Sequence, residues 1–92
     1  MTPENASNVA IAGLQFIAGD EAQLSRFVAL TGIDAGQMRQ MADSKAFLTA
    51  VLDFFMGDEP TLLAFAASSG LDPQDIPKAR MALEPGEIDL DF

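Results

Sequence analysis

The chain has 92 residues, enough for one small domain and not two. It holds no Cys, His, Tyr or Trp, which excludes disulfides, thiolate or imidazole metal ligands, and any nucleophile that relies on a Cys–His or Ser–His pair. Fourteen acids against five bases give a formal charge of −9, which opposes association with phosphate backbones and anionic lipid surfaces.

Hydrophobic residues make up 49% of the chain, so a core is affordable even at this length, and their spacing is helical throughout. The first helix is predicted over Pro3 to Ala18, with Thr2 as N-cap and Pro3 at the first helical position, where its missing N–H is not needed. Val9, Leu14, Phe16 and Ile17 supply its bulk, and it reads as apolar on most sides. Gly13 inside it costs about 1 kcal/mol relative to Ala, which implies a second helix approaching closely there. Gly19 ends this helix and Asp20 caps the next, whose Leu24, Phe27 and Val28 form a core stripe. Gly32 stops the second helix, Ile33 plugs the corner, and Asp34 caps a short third helix over about 35–42, anchored by Met38 and Met41. Asp43 or Ser44 caps a fourth helix running to Met56. Its Phe47, Leu48, Val51, Leu52, Phe54 and Phe55 leave only the strip Lys45-Thr49-Asp53 polar, which places it at the centre. Asp58 caps a fifth helix, with Leu62, Leu63, Phe65 and Ala66 expected to face inward, and Gly70 closes it. After Asp72, a single turn over Pro73 to Ile76 and a helix from Pro77 to about Leu83 are predicted, because Pro77 interrupts the pattern. The remaining Glu84 to Phe92 carries four acids and no base and reads as a mobile acidic tail.

The stretch Gly19 to Asp34 recurs 38 positions later as Gly57 to Asp72. Both copies read G-D-E-x-x-L-x-x-F-x-A-x-x-G-(I/L)-D. Eleven of the 34 positions from Val9 to Ala42 are identical to the residue 38 places on. The expected architecture is therefore an all-α bundle of five or six short helices over residues 1–83, built from two related three-helix halves, 9–42 and 47–80. Gly13 aligns with Val51, consistent with the first and fourth helices crossing at that point.

F-x-A-x-(T/S)-G-(I/L)-D, the run Phe47 to Phe54 and D-E-x-x-L-L-A-F-A from Asp58 to Ala66 resemble a family of small acidic bacterial proteins, domain of unknown function 3572. The resemblance spans about Gln15 to Leu83. It implies an all-helical bacterial protein and carries no catalytic signature, cofactor or functional residue.

The residues themselves offer little chemistry. Ser25, Ser44, Ser68 and Ser69 stand in no motif. Asp20-Glu21 and Asp58-Glu59 are accounted for by capping, and Asp89-x-Asp91 lacks the rest of a calcium loop. No P-loop or dinucleotide fingerprint is present. The reading is thus a non-enzymatic protein with no cofactor and no metal.

Phe27 to Met41 has the outline of a helix-turn-helix, offering Gln37, Arg39 and Gln40, and Phe65 to Arg80 repeats it with Gln74 and Lys78. Five bases in all argue against nucleic acid. The tail, Glu87-Ile88-Asp89-Leu90-Asp91-Phe92, resembles the hexapeptide Q-L-x-L-x-F by which bacterial proteins dock on the DNA sliding clamp. Ile88, Leu90 and Phe92 would be its partner-binding residues, with Glu87 departing from the motif's Gln. Met38, Met41 and Met56 suit an adaptable interface. No basic leader region opens the chain, and its most apolar stretch, Phe47 to Met56, is too short to span a bilayer. The expectation is a cytoplasmic interaction module, acting on a protein partner or as a homodimer. Nucleic-acid association is the alternative, and no membrane is involved.

Overall fold

The computed structural model describes residues 1–83, and those residues form six α-helices and no strand. In order they are α1 (Pro3–Ala18), α2 (Glu21–Thr31), α3 (Ala35–Met41), α4 (Lys45–Met56), α5 (Glu59–Ser69) and α6 (Asp75–Leu83). Tail residues 84–92, with Ile88, Leu90 and Phe92, lie outside the described residues.

Local chemistry sets most of the boundaries. The Asn5 N–H donates to Thr2 Oγ1 (3.1 Å), the Ala22 and Gln23 N–H groups donate to Asp20 Oδ1 (3.0 and 3.3 Å), and the Phe47 N–H donates to Ser44 Oγ (3.3 Å). Each bond satisfies a donor that the first helical turn leaves without a partner. Asp34 and Gln37 close a reciprocal capping box on α3. Gly32 and Gly70 end α2 and α5 at φ +74° and +68°, a left-handed conformation that favours glycine. The last helix starts two residues before the predicted position. Asp72 accepts from the Gln74 N–H while its own N–H donates to Asp75 Oδ2 (2.9 and 3.1 Å). Pro77 then falls in the first turn of α6, where no intrahelical N–H is required of it.

The centre is a trio, α1, α4 and α6, with α2 resting on α1, and α5 on α4 and α1. Six residues of α4 are buried, Phe47, Leu48, Val51, Leu52, Phe54 and Phe55, in keeping with its predicted place. Helix α1 presents small residues to this centre: Ala6, Val9, Ala10 and Gly13, then Ile17. The close approach expected at Gly13 is present. A Cβ there would stand 2.7 Å from Phe55 Cε2 and 3.3 Å from Val51 Cγ1.

Six phenylalanines form one connected set of ring contacts. Phe47 meets Phe27 edge-on (6.0 Å), Phe27 meets Phe54 (5.4 Å), Phe54 meets Phe55 (5.5 Å), and Phe55 stacks on Phe65 (4.5 Å, 20°). Phe16 closes a triangle with Phe55 and Phe65 (5.9 and 5.6 Å). Each favourable pair adds about 0.5–1.5 kcal/mol beyond area burial, so this network ties α1, α2, α4 and α5 together. Position pairs 38 apart share burial: Val9 and Phe47, Ala10 and Leu48, Gly13 and Val51, Ile17 and Phe55, Phe27 and Phe65, Met38 and Ile76 are all buried.

Not every apolar side chain turns inward as expected. Leu63 is 46% exposed, while Thr61, two residues earlier, is buried. Helix α1 is less enclosed than its composition implies, because Ile11 is 37% exposed, and Leu14 and Phe16 are only half-buried. Helix α3 lies at the periphery, attached through buried Met38 and half-buried Met41.

Candidate functional site

Two polar or apolar arrangements stand apart from the core. The first is a clasp at the start of α5. The guanidinium of Arg26 lies 4.8 Å above the Phe54 ring, and its Nη1 donates to Gln23 Oε1 (3.2 Å), Asp58 Oδ2 (3.3 Å) and Thr61 Oγ1 (3.2 Å). The Thr61 hydroxyl donates to the same Asp58 oxygen. Asp58 holds the N-cap position of α5 without the well-formed cap bonds that Asp20 accepts in front of α2; the Thr61 N–H contributes only weakly to its carboxylate. The difference is in the neighbours. Asp20 accepts from Ala22 N, and the residue 38 places on is Pro60, which has no N–H to give. Thr61 stands where Gln23 does and supplies a hydroxyl instead. That hydroxyl holds the Asp58 carboxyl below the usual carboxylate range; partial desolvation opposes it, and Arg26 reinforces it. The clasp joins α2 to α5.

The second arrangement is a groove of about 550 Å³ between α1, α2 and α3. Its floor is a stripe of α1 (Ile11, Leu14, Ala18) lying away from the buried face of that helix, with Gln15 beside it. Leu24 of α2 closes one side, and Met38, Arg39 and Ala42 of α3 and its C-terminus form the other. The lining is apolar apart from Gln15 and Arg39. A shallower cleft of about 470 Å³ lies where α5 meets the start of α6, lined in part by Met56, Leu62, Leu63 and Pro77. Three of its positions lie 38 beyond lining positions of the groove: Ala18 and Met56, Leu24 and Leu62, Arg39 and Pro77.

The structure distributes the sequence candidates unevenly. Met38 lines the groove, Met41 packs beside it against the core, and Met56 lines the second cleft. Gln37, Arg39 and Gln40 are exposed on α3, which has only seven residues, and Arg39 also borders the groove. Gln74 and Lys78 are exposed at the start of α6. Arg80 Nε donates to Asp53 Oδ1 (2.8 Å), closing the polar strip of α4. Ile88, Leu90 and Phe92 lie outside the described residues. Among the described residues no group of three His, Cys, Asp or Glu gathers as metal ligands, and no helix is long and apolar enough to cross a membrane.

Sequence reasoning did not find the groove. Ile11, Leu14 and Ala18 carry its signal as a second apolar stripe on α1, but such a stripe is equally consistent with full enclosure.

No curated protein and no solved structure shows detectable similarity to this chain. Residues 3–86 match a family described as protein of unknown function, DUF3572, and with nearly its whole length inside that match the chain belongs to the DUF3572 family.

Proposed function

We propose that this is a non-enzymatic protein–protein interaction module of the bacterial cytoplasm, and that the groove between α1, α2 and α3 receives its partner. One observation carries the reading. A chain of charge −9 keeps an apolar groove of about 550 Å³ open beside a well-packed core. Pockets of this size and lining are where ligands and partner side chains bury most of their surface. The groove is walled by Ala18 and Ala42, where larger residues would fill it; position 56, the counterpart of Ala18, holds Met. The absence of His and Cys removes the commonest bases and nucleophiles, which favours binding over catalysis.

The test is site-specific photocrosslinking in the native cell. A photoreactive residue at Ile11, at one end of the groove floor, should capture a discrete partner, and one at Leu30, which is 69% exposed and does not line the groove, should not. Capture at Leu30 or Met81 alone would move the interface elsewhere. Replacing Ala18 by Met, to fill the groove, should abolish capture at Ile11 while leaving the melting temperature unchanged.

Nucleic-acid association keeps one supporting feature, the exposure of Gln37, Arg39 and Gln40 on α3. The net charge weighs against it. Titration with duplex DNA at low salt decides the matter: micromolar binding that weakens steeply with salt would favour it.

A further inference from the structure

Resting on the groove reading above, we infer that the occupant is a basic amphipathic helix, seating about two turns of apolar side chains between α1 and α3 against an acidic rim. The mode follows from the architecture. The described residues contain no strand, so there is no sheet edge for an extended peptide to join, and the groove lies between helices. Its floor runs from Ile11 to Ala18, eight residues of α1 and so roughly 10 Å from end to end. A partner helix offers apolar groups at i, i+3, i+4 and i+7 over that same length.

The charge follows from the segments that frame the groove. Asp20 and Glu21 stand between the lining residues Ala18 and Leu24, Asp34 heads α3, and Asp43 follows Ala42. All four are exposed; the bases among these segments are Arg39, on the lining, and exposed Lys45, two residues past Asp43. Arg26, the other base on α1 to α3, is committed to Asp58. Four exposed acids against Arg39 and Lys45 leave the segments that frame the groove net acidic, and a net-acidic frame attracts a cationic partner over about a Debye length, roughly 8 Å at physiological salt. The same field disfavours the two occupants this chain could itself provide: the tail, with four acids, and a second copy, with net charge −9.

The experiment is methyl NMR on the full-length chain, titrated with three synthetic 14-residue peptides. One carries Leu at helical a/d spacing with Lys elsewhere, the second has Glu in place of Lys, and the third scrambles the first. The Lys helix should move the methyls of Ile11, Leu14, Leu24 and Met38, and bind at least tenfold tighter than either control. Ile11→Ser and Glu21→Lys should each weaken it about fivefold, Ile11→Ser at any salt and Glu21→Lys only at low salt. If the Glu helix binds those methyls equally well, the basic partner is wrong while the groove stands. Shifts confined to other methyls, or equal binding by the scrambled peptide, would show surface attraction only and overturn the assignment. Two further results would also overturn it. If Leu90→Ser and Phe92→Ser move the groove methyls in the free chain, the tail is the occupant. If light scattering shows a dimer that Ile11→Ser dissociates, the occupant is a second copy.

Discussion

Replacing Gly13 with alanine sets two effects of opposite sign against each other. Inside an exposed helix the change gains about 1 kcal/mol of helix propensity. Here the new Cβ would stand 2.7 Å from Phe55 Cε2 and 3.3 Å from Val51 Cγ1. The Phe55 ring has nowhere to retreat: it is fully buried, stacked 4.5 Å from Phe65 and flanked by Phe54 and Phe16. Overpacking a site of this kind costs typically 1–3 kcal/mol, and the crowding puts Gly13→Ala at the upper end. The net expectation is a loss of about 1–2 kcal/mol, or roughly 5–15 °C in melting temperature for a domain of this size. Urea unfolding followed by far-ultraviolet circular dichroism measures it, with an unchanged slope confirming that only stability moved. Phe55→Leu removes the ring edge that the methyl meets. The double variant should therefore lose less than the sum of the single losses, by about 1 kcal/mol. Gly13→Ala at or above wild-type stability, or strict additivity with Phe55→Leu, would refute the crossing argument.

Gly36 provides the opposite case within a helix: it is exposed, and its Cβ would meet only Asp34 Oδ1, at 3.4 Å. Gly36→Ala should stabilise by about 0.5–1 kcal/mol in the same assay. Gly32→Ala and Gly70→Ala meet nothing within 4 Å yet force alanine to φ +74° and +68°; each should cost about 1–2 kcal/mol, and Gly70→Asn less. The Asp58 carboxyl has a folded pKa below its ordinary value, so its contribution is present above about pH 4 and is lost as pH falls through the folded pKa. Thr61→Val removes the leading cause. In a carbon-detected titration the Asp58 midpoint should move up towards the ordinary carboxylate value, and the fall in urea midpoint between pH 5 and pH 2 should become shallower. An unmoved midpoint would show that the hydroxyl does not hold the carboxylate.

The parts of the fold fixed by chemistry within a turn or two were legible in the sequence. Thr2, Asp20 and Asp34 cap as read, Ser44 is the one of the pair Asp43 and Ser44 that caps α4, Gly32 and Gly70 turn left-handed, and the Gly13–Val51 pairing located the α1–α4 crossing. Where the reading failed, a second segment decided the outcome. Pro77 looked like a break because its chain position alone does not reveal that the Asp72 N–H donating to Asp75 Oδ2, and the Asp75 N–H donating back to the Asp72 carbonyl, start the helix two residues earlier. Leu63 looked like core, but the register of α5 is fixed by Phe65, Ala66 and the Thr61 hydroxyl, which turns Leu63 outward. Asp58 looked like a second Asp20 until Pro60 and Arg26 were considered with it. The groove was the least legible feature, because three helices must be placed before it exists at all.

The peripheral position of α3 has a dynamic consequence. Seven residues are far below the dozen or so at which an isolated helix holds in water. Its order is borrowed from Met38, Met41 and its capping box, while the phenylalanine network runs through α1, α2, α4 and α5. Among the described helices it is the one most weakly tied to the rest, and its amides should exchange with solvent by local opening well before those of α4. Each opening removes the outer wall of the groove and leaves Leu14 and Leu24 facing water with the rest of the molecule intact. Occupancy and opening are thermodynamically linked. A ligand held only by the closed form at a hundredfold excess over its dissociation constant raises the cost of releasing α3 by about 2.7 kcal/mol. Slowed exchange across 35–41 therefore reports groove occupancy without any label on the partner.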